Sequence, residues 1–81
     1  MRLNIDPGDR EGYAAYKAML DEIGEDNMIA VYVDGERLRC PTMADDVKGE
    51  ARHYDDAGNA WVVDAKGRVE IKTERKPNAQ D

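Results

Sequence analysis

Apolar and polar positions alternate with two different periods along this 81-residue chain. Tyr13, Tyr16, Met19, Leu20 and Ile23 recur at three- and four-residue spacing, the signature of one helix face. Asp9 stands where a side-chain oxygen can cap that helix, Glu11 suits its positive end, and Gly24 is placed to stop it. The pattern predicts a helix over residues 10–23, with Gly12 weakening its first turn. The period then changes. Met28 to Val33 reads as a strand, and Asp34-Gly35 is a two-residue hairpin turn, because both central positions need positive φ. The return strand runs from Glu36 to Cys40 and stops at Pro41. A two-residue loop pairs Val33 with Glu36, Tyr32 with Arg37, Val31 with Leu38, Ala30 with Arg39 and Ile29 with Cys40. Ile29, Val31, Val33, Leu38 and Cys40 then share an apolar face.

Residues 41–49 read as a connection in which Asp45-Asp46 caps a short turn containing Val47. Residues 50–54 and 60–63 read as further strands around an Asp55–Asn59 reversal. A three-residue loop there turns His53 toward Trp61, and a two-residue loop puts Tyr54 in that place. Ala65-Lys66-Gly67 suits a three-residue hairpin loop opposing Val63 to Val69 and Trp61 to Ile71. Leu3 and Ile5 add a short edge strand, followed by an Asp6-Pro7-Gly8 turn. The expectation is one small α+β domain over residues 1–76: an N-terminal helix packed on an antiparallel sheet of about four strands in two consecutive hairpins, with a frayed polar tail at 77–81.

Charge narrows the choice of partners. The net charge is −6, and all of it lies in residues 1–36, where nine acids meet three bases. Such a field repels duplex nucleic acid, whose binding depends on neutralising phosphates. Residues 66–76 are the local exception, with Lys66, Arg68, Lys72, Arg75 and Lys76 against Glu70 and Glu74. They read either as a single-stranded nucleic-acid contact or as a solvated last strand whose charges discourage edge-to-edge association. The N-terminus lacks the apolar run of a signal peptide, and no apolar run is long enough to span a membrane, so the expected location is cytoplasmic.

Candidate chemistry is sparse. A single cysteine excludes an internal disulfide framework and a cysteine-based zinc site. Cys40, on the expected apolar face, reads as a small buried hydrophobe rather than an activated thiol. His53, the only histidine, has Asp55 and Asp56 nearby but no legible catalytic partner set. Asp55 to Asn59 lacks the glycine and glutamate that a calcium loop of the helix–loop–helix type requires. Glu22 and Asp26 have the spacing of a carboxylate pair with nothing to complete a metal site. No glycine-rich phosphate loop occurs. The expectation is therefore a non-enzymatic protein with no cofactor, no metal and no small-molecule substrate. Its candidate surfaces are the Tyr32, Arg37 and Arg39 face and the acids Asp21, Glu22, Glu25 and Asp26, and its partner is another protein or a second copy. Two alternatives stay open: a single-stranded nucleic-acid module built on 66–76, and an acidic inhibitor occupying the basic site of a nucleic-acid enzyme.

The stretch from Val31 through Asp34-Gly35 to Leu38, then Ala44-Asp45, Gly49-Glu50-Ala51, Tyr54, and Gly67-Arg68-Val69-Glu70-Ile71 resembles small uncharacterised accessory proteins of tailed phages and prophages. It covers residues 31–71 and consists mostly of turn and strand chemistry. The N-terminal helix departs from the shortest of those proteins. The resemblance implies a phage accessory or virion-associated role with no enzyme activity.

Overall fold

The computed structural model describes residues 1–54 and 62–77. The order is β1 (Arg2–Asn4), α1 (Arg10–Ile23), β2 (Asn27–Val33), β3 (Glu36–Arg37), β4 (Pro41–Asp45), β5 (Glu50–Tyr54), β6 (Val62–Lys66) and β7 (Val69–Arg75). The helix occupies the span its periodicity predicts. The Asp9 carboxylate accepts the Gly12 amide at 3.2 Å, and the Gly24 amide donates to the Leu20 carbonyl. Gly12 has a positive role: it is buried, and a Cβ there would lie 2.5 Å from Asp9 Oδ2 and 2.8 Å from Asn4 Cβ. Its missing side chain lets α1 approach β1 closely.

The molecule is α+β, a helix on a small antiparallel sheet, but the strands are arranged differently from two consecutive hairpins. One sheet has the order β1-β4-β5-β6, the other β3-β2-β7. Val31, Val33 and Val69 from the second sheet meet Ala44 and Ala51 from the first, so the core lies between two sheets. Among the described residues no large side chain is fully buried. Helix α1 packs at the margin, mainly on β1 and less on β2.

The Asp34-Gly35 turn forms with both residues at positive φ, and the expected pairs Val33–Glu36 and Tyr32–Arg37 are present. The return strand is shorter than expected. After the Leu38 amide donates to the Val31 carbonyl, the chain turns away at Cys40, whose φ is +48°. The Ala30–Arg39 and Ile29–Cys40 pairs do not form, while on the other edge of β2 the ladder with β7 runs the full strand and Ile29 faces Thr73. Cys40 is exposed rather than part of an apolar face, because the bend carries it out of the sheet.

The connection expected at 41–49 is instead mostly strand. Residues 41–45 form β4, flanked by β1 and β5, and Met43, Ala44 and Asp45 are buried. Asp45 does cap the following turn: its Oδ1 accepts the amides of Val47 and Lys48, each at 3.0 Å. The hairpin expected at Lys66-Gly67 does not form. Val69 pairs with Val33 and Ile71 with Val31, while Val63 pairs with His53. The turn sends the chain across to the other sheet, as strands do at the corners of packed sheets. The ladder of β5 with β6 sets Tyr54 opposite Val62 and His53 opposite Val63. The Asp55–Asn59 reversal, Trp61 and the tail beyond Pro77 lie outside the described residues.

Candidate interaction surfaces

Three surfaces carry the residues singled out by sequence. The first is the outer face of β3-β2-β7. Strand alternation puts Met28, Ala30 and Tyr32 on this face, opposite Glu74, Lys72 and Glu70, with Arg37 beside Tyr32. The Tyr32 hydroxyl donates to Glu74, two same-face pairs along the ladder, so the side chain crosses Ala30, which is only 3% exposed. Arg37 Nε donates to the same carboxylate at 3.1 Å, and Lys72 Nζ lies 4.7 Å from the Tyr32 ring centroid. The Tyr32 bond, with Arg37 second, holds the Glu74 carboxyl below the usual range, and the same bond pushes the Tyr32 phenol up. Tyr32 and Arg37 are thus brought together as expected but are engaged within the sheet. Arg39 is exposed beyond the end of β3 and does not join them.

The second surface surrounds α1. Asp21 and Glu22 are exposed on the helix, and Glu25 and Asp26 are exposed in the link to β2. Among the described residues none of these four side chains takes part in an ion pair. Tyr13, Tyr16, Met19, Leu20 and Ile23 are each only half-buried, because the helix rests at the margin of the sheets. One flank of α1 opens into a groove of about 410 Å³ lined by Ile5, Tyr16, Leu20, Met28, Ile29 and Pro41, among others.

The third is the basic segment. Lys66 lies on β6 opposite Glu50, in a different sheet from Lys72 and Arg75. Lys72 is within 3.7 Å of Glu70, and alternation sends Arg75 to the opposite face of β7. Arg68 and Lys76 are exposed at the two ends of that strand. The five cations are not brought to one face, and Glu70 and Glu74 interrupt them.

His53 Nδ1 donates to the Tyr54 carbonyl at 2.8 Å. Among the described residues no group of three His, Cys, Asp or Glu side chains is placed to hold a metal ion. Nor is any helix there long and apolar enough to cross a membrane. Sequence reasoning missed the groove beside α1, since half-burial of a helix face depends on how far it overhangs its sheet. It also missed Glu74 as the partner of both Tyr32 and Arg37. No family model, curated protein or solved structure matches the chain.

Proposed function

We propose that this chain works by binding another protein, as an accessory or assembly component rather than a catalyst. The observation that supports this reading is the groove along α1. Apolar side chains of α1 and β2 stand half-open around it with the exposed Ile5, and Lys76, which also lines it, donates its amide to the carbonyl of Asp26 in the acidic link after the helix. An apolar groove next to a negative helix end suits a basic segment with apolar anchors, such as an amphipathic helix carrying Lys or Arg. Resemblance to phage accessory proteins fits the same reading. A basic surface on a nucleic-acid enzyme is one partner of this chemistry, so the acidic inhibitor is a special case of it.

The test is an NMR titration of the full chain with a synthetic Leu/Lys amphipathic helix. Shifts concentrated at Tyr16, Leu20, Met28 and Ile29 are expected. A Glu25→Lys/Asp26→Lys variant should bind about tenfold more weakly, and added salt should weaken the wild type. Shifts scattered over the surface, or unaffected by the charge reversal, would show that the groove is not the docking site.

A further inference from the structure

Among the described residues, strand β7 is the edge of the sheet β3-β2-β7, and it spans seven residues. Its ladder with β2 leaves one set of backbone groups unused. The Leu38 amide donates to the Val31 carbonyl, so Val31 directs its polar groups to β3, and Met28, Ala30 and Tyr32 direct theirs to β7. Glu70, Lys72 and Glu74 therefore bond with β2. Arg68 and Lys76 follow the same phase, through the Asp34 amide donating to the Arg68 carbonyl and the Lys76 amide donating to the Asp26 carbonyl. Val69, Ile71 and Thr73 point their N–H and C=O groups out of the sheet edge.

The side chains of this edge alternate in sign as well as in face. By strand alternation Arg68, Glu70, Lys72 and Glu74 project to the outer face, and Val69, Ile71 and Thr73 to the inner. The geometry points to a second copy of this chain as the partner: β7 pairs antiparallel with β7 of the other copy about a twofold axis at Ile71, making one sheet β3-β2-β7-β7-β2-β3. In that register Ile71 faces Ile71 and Val69 faces Thr73, all through the outward-pointing backbone groups. On the outer face Glu70 meets Lys72 and Arg68 meets Glu74, each twice, with no like-charged pair.

Other registers are worse. An axis at Lys72 opposes Lys72 to itself and Glu70 to Glu74, and an axis at Glu70 opposes Glu70 to itself and Arg68 to Lys72. An axis at Thr73 keeps opposite charges together but sets Ile71 against Arg75. An axis between residues opposes inner-face to outer-face side chains. Directly opposed like charges destabilise a strand pair, and opposite ones stabilise it. Charges on an edge commonly discourage pairing; this sequence of charges discourages every partner that does not carry its complement.

A second feature lies along the same edge. Ile71 and Thr73 border an open groove of about 420 Å³ on the flank of α1 opposite the one described above, lined also by Ala15, Ala18, Met19 and Glu22. Pairing about Ile71 brings the two copies of this groove to the axis and covers their apolar floor. The two grooves share no lining residue, so this interface and the proposed protein-binding groove stand or fall separately.

The experiment is sedimentation equilibrium of the full chain from micromolar to millimolar concentration, with circular dichroism confirming that each variant is folded. The wild type is expected to dimerise. Glu70→Lys and Lys72→Glu should each weaken self-association about tenfold or more, because each creates like-charged pairs across the axis. Mixing the two variants should restore a dimer. Positions 70 and 72 are both acidic in the Lys72→Glu chain and both basic in the Glu70→Lys chain, so every pair across the mixed axis joins opposite charges. A monomer at every concentration, a dimer retained in both single variants, or a mixture that fails to associate would overturn the proposal.

Discussion

Asp34 and Arg68 hold each other at two points: the Arg68 amide donates to Asp34 Oδ1 at 2.9 Å, and the Asp34 amide donates to the Arg68 carbonyl at 2.9 Å. The contact locks the β2–β3 turn to the corner between β6 and β7. A third turn joins them, because the Gly67 amide donates to the Gly49 carbonyl at 3.0 Å. There is no room for side chains between them. A Cβ at Gly67 would lie 2.5 Å from Asp34 Oδ2, and one at Gly49 would lie 2.5 Å from the Gly67 carbonyl oxygen. Asp34→Ala loses the bond to Arg68 and places alanine at a φ of +53°, a combined cost of about 2 kcal/mol. Asp34→Asn keeps an acceptor and tolerates that φ, so it should cost less than half as much. Urea unfolding checks both, and equal losses would mean that a retained acceptor at position 34 recovers nothing.

Gly12 offers a test in which local propensity and tertiary contact predict opposite signs. Alanine in a helix interior gains about 1 kcal/mol over glycine. At this position its Cβ would lie 2.8 Å from Asn4 Cβ, an atom that cannot move without β1. Gly12→Ala is therefore expected to lower the thermal midpoint, by separating α1 from β1. A raised midpoint would mean that the helix sits farther from that strand.

Features set by neighbours in sequence were legible, and features set by distant contacts were not. Helix α1 could be read from its spacing and from Asp9 and Gly24, which act within a turn of where they stand. Asp34-Gly35 fixed two correct strand pairs for the same reason. Strand β4 was hidden because Pro41-Thr42-Met43-Ala44-Asp45 does not alternate. Its conformation is dictated by pairing with β1, some forty residues earlier, and with β5. Ala65-Lys66-Gly67 has the chemistry of a hairpin loop, yet the Asp34 carboxylate receives the following residue and β7 is drawn to β2. Tyr32 and Arg37 were correctly grouped, but Glu74, which engages both, lies 42 residues beyond Tyr32 and could not be assigned without knowing that crossing.

The Tyr32–Glu74 bond should be visible in an alkaline titration. Donating to a carboxylate favours the protonated phenol, so Tyr32 ionises above the ordinary tyrosine range. A folded-state value above the unfolded one means that this stabilisation is complete below the unfolded pKa and is lost as pH rises through the folded one. Tyr32→Phe is expected to remove the highest-pH part of the phenolate absorbance curve. Glu74→Gln should move that part to lower pH while keeping its amplitude. If Tyr32→Phe removes its amplitude from the ordinary tyrosine range instead, and Glu74→Gln leaves the curve unchanged, the bond does not persist in solution.

Acid stability should report on Asp9 with the opposite sign. Arg2 donates to both of its carboxylate oxygens at 2.8 Å, and the Gly12 amide adds a third bond, so the carboxyl is held well below the usual range. Its contribution is present above the unfolded carboxyl pKa and is lost as pH falls through the folded one. Asp9→Asn keeps an acceptor for Gly12 but gives up the charge facing Arg2. The stability gap between wild type and Asp9→Asn should be full at neutral pH and shrink steadily below the ordinary aspartate range. Asp45 and Glu74 also have depressed pKa values, but both are present in each protein and cancel in the difference. Urea midpoints for the two proteins across the acid range make the comparison. A gap of constant size would show that the Arg2 pair does not stabilise the helix start.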